Sequence, residues 1–150
     1  MTVDFVLKKV PKVRVASIRW TGPYNERKIR ERFHEVDRWV RARGLTPGRW
    51  LFREPGSRTW ESGIEVRGPV RSEGKVRVRT LPASTVASVV FDPDLVSPRV
   101  VYHGLSDWLR WQRKEKKVKS VLSTREVYEG DPWTDKRAWS RTEVQFVVRT

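Results

Sequence analysis

The apolar positions of this chain change period as one reads along it. From Val13 to Trp20 they crowd into a β-branched run, which predicts a strand. From about residue 25 to 43 the spacing lengthens. Ile29, Phe33, Val36 and Val40 recur at helical intervals and lay one apolar stripe along a helix. Gly44 follows, placed to end that helix as a left-handed cap. Two more strands are expected at about 49–53 and 63–70. The alternating stretch 75–80 leads into a second round. A strand at Thr85–Phe91 comes first, then a helix at about 99–118 carried by Val101, Leu105, Trp108 and Leu109. Strands at about 124–129 and 141–149 complete it.

The second round repeats the first. V-P-K-V-R-V-A-S-I (10–18) answers L-P-A-S-T-V-A-S-V (81–89), and F-H-E-V-D-R-W-V (33–40) answers Y-H-G-L-S-D-W-L (102–109). L-F-R-E-P (51–55) matches V-Y-E-G-D-P (127–132), which makes Trp50 the counterpart of Glu126. I-E-V-R-G-P-V (64–70) matches T-E-V-Q-F-V-V (142–148). Repeats in one order, with loops of varying length between them, point to an internal duplication. The expected fold is α+β: a duplicated β-α-β-β module in one domain, 1–150. The halves run from about 1–74 and about 75–150. Neither has strands enough to cover its own apolar face, so the pair is expected to pack pseudo-symmetrically with a ligand cleft between them.

Composition narrows the chemistry. With 150 residues the chain can bury a core. No apolar run is long enough to span a bilayer, and the charged stretch M-T-V-D-F-V-L-K-K-V-P does not read as a signal peptide. The expected location is the cytoplasm, without a membrane partner. Cysteine is absent, which excludes disulfides and thiolate metal sites. His34 and His103 sit at one repeat position beside an aromatic and read as structural. No metal and no cofactor is expected. No phosphate loop, dinucleotide fingerprint, zinc-protease motif or nucleophile elbow occurs.

Two excesses remain, a formal charge of +14 and eight tryptophans. The basic tract 110–119 carries Arg110, Arg113, Lys114, Lys116, Lys117 and Lys119. It reads either as a solvated helix end favoured by the helix dipole or as a phosphate-backbone footprint for nonspecific nucleic-acid contact. Trp39 and Trp108 lie among helical apolar residues and read as packing. Trp20, Tyr24, Trp50 and Trp133 lie at strand ends or in turns and are candidate pocket walls. Trp60 and Trp139 are weaker candidates. In T-R-E-V-Y-E-G-D-P-W (124–133) strand alternation puts Glu126 and Tyr128 on one face and Val127 on the other. A carboxylate there either pairs with a cation such as Arg125 or Arg141, or faces a pocket, where aromatic rings would add attraction for a bound cation.

V-A-S-I-R-W-T-G-P-Y (15–24), an amphipathic helix, and E-V-Y-E-G-D-P (126–132) together resemble the GyrI-like small-molecule-binding domain, the effector-binding domain of AraC-type and MerR-type bacterial regulators. The resemblance covers nearly the whole chain. It implies a duplicated module with both helices on one side and a ligand cleft on the other. It also implies an aromatic pocket for amphipathic or cationic drugs, with a glutamate at the position of Glu126 as counter-charge. F-D-P-D-L-V-S-P (91–98) departs from the family's second G-P-Y-like turn. The reading that follows is a stand-alone small-molecule-binding protein for a hydrophobic ligand, held by Glu126, Trp20, Tyr24, Trp50, Tyr128 and Trp133; a cationic ligand suits the glutamate, while the strongly basic surface, which repels free cations at long range, leaves neutral or anionic amphiphiles open. Family members that hydrolyse strained alkylators imply an alternative, in which Glu126 activates water and Tyr24 or Tyr128 assists the leaving group. A third reading is a basic partner of nucleic acid or of a nucleic-acid enzyme such as gyrase.

Overall fold

Asn25 starts the first helix. Its side chain accepts a hydrogen bond from the Lys28 backbone N–H at 3.1 Å, satisfying one donor that a helix start leaves open. The structure, a computed structural model, describes residues 3–150. Met1 and Thr2 of the charged N-terminal stretch lie outside the described residues. In chain order the elements are β1 (Val6–Val10), β2 (Val13–Thr21), α1 (Glu26–Ala42), β3 (Trp50–Gly56), β4 (Thr59–Glu65), β5 (Arg77–Leu81), β6 (Ser84–Phe91), α2 (Pro98–Lys114), β7 (Ser120–Tyr128), α3 (Lys136–Ser140) and β8 (Thr142–Arg149). The architecture is α+β and its strand pairs are antiparallel.

Helix α1 buries Ile29, Phe33, Val36 and Val40, the residues whose spacing predicts it. Gly44 stands just past its end with φ at 73°, and its N–H bonds the Arg41 carbonyl at 3.0 Å. The second helix stops at Lys114, short of the expected 118. Glu115 caps it and Lys116 takes a left-handed φ of 60°, which breaks helical propagation.

Two compact units make up the chain. One is Lys12–Pro82; the other joins Met1–Pro11 to Ala83–Thr150. The boundary therefore falls after the 75–80 stretch rather than before it. The reason is pairing: β5 ladders onto β2, while β1, a strand the sequence pattern does not announce, ladders onto β6.

Within Lys12–Pro82 the strand order is β3-β4-β2-β5. Side chains alternate across it. Ala16, Ile18 and Trp20 of β2 share a face with Ile64, Ser62 and Trp60 of β4 and with Trp50 and Phe52 of β3. That face meets α1: Trp50 stacks on Phe33 with ring centroids 5.1 Å apart, and the Ser62 hydroxyl donates to the Ile29 carbonyl. Strand β4 lies earlier than the expected 63–70. Glu61, Ser62 and Gly63 interrupt its apolar pattern and hide it.

In the other unit the order is β1-β6-β8-β7. Ala87, Val89 and Phe91 of β6, with Val144, Phe146 and Val148 of β8, pack against Val101, Leu105 and Leu109 of α2. Phe5 and Trp108 close this core with centroids 6.1 Å apart. Helix α3, absent from the sequence expectation, is one short turn capped by Asp135.

Candidate functional site

Glu126 stands on β7 directly opposite Val144, so its side chain leaves the sheet on the face covered by α2. Tyr102, on the first turns of α2, donates its hydroxyl to Glu126 Oε1 at 2.7 Å. Tyr128 donates to Oε2 at 2.5 Å. Glu126 and Tyr128 thus share a face, as alternation predicts. Both carboxylate oxygens of this half-buried acid are thus met by phenol O–H groups. Arg125 points to the opposite face and donates to Gln145 Oε1 at 2.6 Å. The Tyr102 ring tilts against Phe146 at 5.9 Å. The helix side of the sheet, rather than the helix-free side implied by the family resemblance, therefore holds this glutamate.

The other expected wall residues are distributed as follows. Trp50 is buried, 4% exposed, and belongs to the α1 core. Tyr24 is 62% exposed and meets Trp60 edge-on at 5.6 Å. Trp60 donates its indole N–H to the Gly22 carbonyl at 3.0 Å and stacks near Phe52 at 6.0 Å. Trp20 lies directly across from Trp60, and its Nε1 is buried without a hydrogen-bond partner among the described residues. Trp133 follows β7, half-buried, with its backbone N–H on Asp131 Oδ1. Trp139 reaches Asp94 Oδ1 at 3.0 Å. Tyr24, Trp20 and Trp60 come together in Lys12–Pro82; Glu126 and Tyr128 come together in the other unit.

The pairing registers change the internal correspondence. Ser17 faces Gly63, and Ser88 faces Gln145. Two residues back along β4 and β8 stand Glu61 and Glu143. One residue back stand Ser62 and Val144, whose partners on β3 and β7 are Phe52 and Glu126. Phe52, not Trp50, therefore occupies the ladder position of Glu126, and Glu61, not Glu65, that of Glu143.

These two acids face away from the helices, and both are buried. Glu143 accepts from Ser88 at 2.7 Å, from Gln145 at 2.6 Å and from the Lys8 ammonium at 2.8 Å. Burial alone would raise its pKa; the bonds from Lys8, Ser88 and Gln145 outweigh that and hold it below the usual carboxylate value. Glu61 accepts from the Ser17 hydroxyl at 2.5 Å and from Arg53 Nε at 2.5 Å. Arg19 and Arg79 approach it at 3.4 and 3.7 Å. Sequence reasoning missed Tyr102 as a site residue, and missed Glu61 with its arginines. The signal for Glu61 was a charged residue inside W-E-S-G-I, a stretch too polar to read as a strand.

The basic tract lies at the end of α2 and just beyond it. Arg110 pairs with Asp107, Lys117 with Glu115, and the Lys114 ammonium sits 5.1 Å from the Trp111 ring centre. Asp107, Arg110, Trp111 and Lys114 line a surface hollow of about 400 Å³. Among the described residues no group of three His, Cys, Asp or Glu could hold a metal, and no helix is long and apolar enough to cross a membrane.

The family model of the GyrI-like small molecule binding domain matches residues 4–149. The chain belongs to that family. Solved structures share the fold of this GyrI-like domain. The C-terminal domain of EcmrR superposes with a TM-score of 0.70 at 21% identity, covering 100% of this chain and 99% of that one. EcmrR in a DNA complex, determined by cryo-electron microscopy, gives 0.74 at 23% identity over 99% of this chain, which spans 58% of that EcmrR chain. SAV2435, solved with tetraphenylphosphonium bound, gives 0.51 at 14% identity, covering 97% of this chain and 94% of that one. No curated protein sequence matches this chain.

Proposed function

We propose that this GyrI-like domain binds an amphipathic small molecule bearing a positive charge, with Glu126 as the counter-charge. The observation that carries this reading is the half-buried Glu126 carboxylate, both of whose oxygens receive tyrosine hydroxyls. Neutral hydroxyl donors satisfy the two oxygens without bringing a positive charge to the carboxylate. An organic cation beside Tyr102, Tyr128 and Phe146 gains both the carboxylate and the ring faces, the latter at roughly 0.5–2 kcal/mol each. The bound cation in SAV2435 supports the same class of ligand. Trp133, which follows β7 within the same unit, is the further aromatic we assign to the ligand. Trp20 and Tyr24 contribute fluorescence and packing in Lys12–Pro82, and Trp50 contributes core. The domain sequesters or senses its ligand. We read the two units as copies of one β-α-β-β module, in which only one copy acquired the acid.

Tryptophan fluorescence tests this. Tetraphenylphosphonium is expected to quench saturably, and neutral triphenylphosphine oxide to bind much more weakly. Glu126→Gln is expected to lose on the order of 2–5 kcal/mol of cation affinity, as when one partner of a buried charge pair is removed. Equal binding of the cation by the variant overturns the assignment. Turnover of a strained electrophile that vanishes in Glu126→Gln would instead make the same residues a hydrolase site.

A further inference from the structure

The helix-free face of Lys12–Pro82 carries a second, oppositely charged constellation. Glu61 is sealed, with its side chain 1% exposed, while the three arginines around it reach solvent: Arg53 at 19%, Arg79 at 30% and Arg19 at 36%. They come from three different strands. β2 supplies Arg19, directly opposite Glu61. β3 supplies Arg53, also opposite Glu61. β5 supplies Arg79, whose Nη1 donates to Ser17 Oγ at 3.0 Å. Arg77, opposite Ser17 on the same face, adds a fourth positive charge at the rim.

The charges do not balance. One carboxylate faces three guanidiniums within 2.5–3.7 Å, leaving a formal excess of about two positive charges held in one place. Nor do the donors balance. Each guanidinium offers five N–H groups, and Glu61 takes Arg53 through Nε alone and meets Arg19 through Nε. Among the described residues the terminal Nη groups of Arg19 and Arg53 have no acceptor. The corresponding acid of the other unit shows what a balanced version looks like: Glu143 is met by one ammonium, one amide and one hydroxyl. Burial, and after it the charge of Arg19, depress the Arg79 pKa against the pull of Glu61, as expected where like charges are crowded beyond their counter-ion.

From this imbalance we infer that Arg19, Arg53 and Arg79 form a site for the carboxylate or phosphate group of a small organic anion, with Glu61 as the buried clamp that gathers the three guanidiniums. Fork-shaped guanidiniums pair with planar or tetrahedral oxyanions in bidentate fashion. Their convergence on a single point suits one anionic group. A nucleic-acid backbone presents a row of phosphates and calls for a row of cations. The site shares no residue with the one assigned to Glu126 and stands whether or not that residue binds a cation.

Isothermal titration of the full chain with phenyl phosphate and with benzoate tests it, with benzyltrimethylammonium at matched ionic strength as the opposite charge. Saturable binding of the anions is expected. Arg19→Gln, which removes the most exposed arginine, is expected to weaken it at least tenfold with little change in Tm. Glu61→Gln is expected to tighten it several-fold, a sign that a purely structural role for the cluster does not produce. Should Glu61→Gln fail to fold, Arg19→Gln and its control Lys114→Gln decide. Loss in Arg19→Gln alone supports the site, and equal loss in both assigns the effect to overall charge and overturns it. Absence of anion binding, unchanged affinity in Arg19→Gln, or displacement of phenyl phosphate by mixed-sequence DNA with a steep salt dependence also overturns it.

Discussion

Beneath α2, Tyr102 and Glu126 meet at 2.7 Å. At the matching repeat and ladder positions beneath α1 stand Phe33 and Phe52. Phe33 is fully buried against Trp50, and Phe52 lies alongside Trp60. One unit thus carries an apolar filling beneath its helix, and the other a carboxylate with its donors. On the opposite face the asymmetry reverses: Glu143 is matched by its partners, whereas Glu61 is outnumbered by arginines. The comparison shows that a strand position fixes where a side chain points, while a few substitutions decide whether the place stores stability or holds a charge for use.

The largest effect expected from breaking this comparison is on Glu61. Glu61→Ala leaves three arginines without their shared partner and should cost about 3–5 kcal/mol in urea unfolding, the range for stripping one member from a buried ion pair. Glu143→Ala should cost less, about 1–3 kcal/mol, because Lys8 is 42% exposed and water can take over its ammonium. Equal losses would dissolve the distinction. Next comes transplantation. Phe52→Glu alone should destabilise by roughly 1–3 kcal/mol, the cost of an inadequately paired polar group. Adding Phe33→Tyr should recover part of that, which a double-mutant cycle would read as a coupling of about 0.5 kcal/mol or more.

Gly63→Ala should cost about 1 kcal/mol or somewhat more by overpacking, since its Cβ would come within 3.1 Å of Ser17 Cβ. Gln145 fills the corresponding position in the other unit. The smallest effect concerns acid. The folded-state pKa of Glu143 is depressed, so its contribution is present above the unfolded-state value and fades as pH falls through the folded one. Glu143→Gln should therefore flatten the acid limb of a Tm-versus-pH curve. A slope identical to wild type would show that Lys8 contributes nothing through this acid.

Much of this was legible in the sequence where the signal is local. The periodicity of α1, the stop at Gly44 and the shared face of Glu126 and Tyr128 depend on residues close in the chain. Strand β4 was misplaced because its two faces hold Glu61 and Gly63 on one side and Ser62 on the other, which no apolar alternation reveals. Tyr102 was visible only as half of a repeated helix, since its contact with Glu126 spans a turn and a strand. The cluster at Glu61 draws one arginine from each of three strands. Nothing in a linear reading distinguishes those from the other basic residues that bring Lys and Arg to 32.

The crossing of β1 has a consequence for how the chain comes into being. Lys12–Pro82 is continuous, and its four strands have all been made once Leu81 is in the chain. The strand Val6–Val10 is synthesised before all of them, yet its partner β6 begins only at Ser84. During synthesis that segment emerges ahead of its partner and docks late, a long-range closure of the kind that slows folding. Until then its backbone is an open edge. The two lysines in V-L-K-K-V are the kind of charged residue that discourages such an edge from pairing with a neighbouring nascent chain.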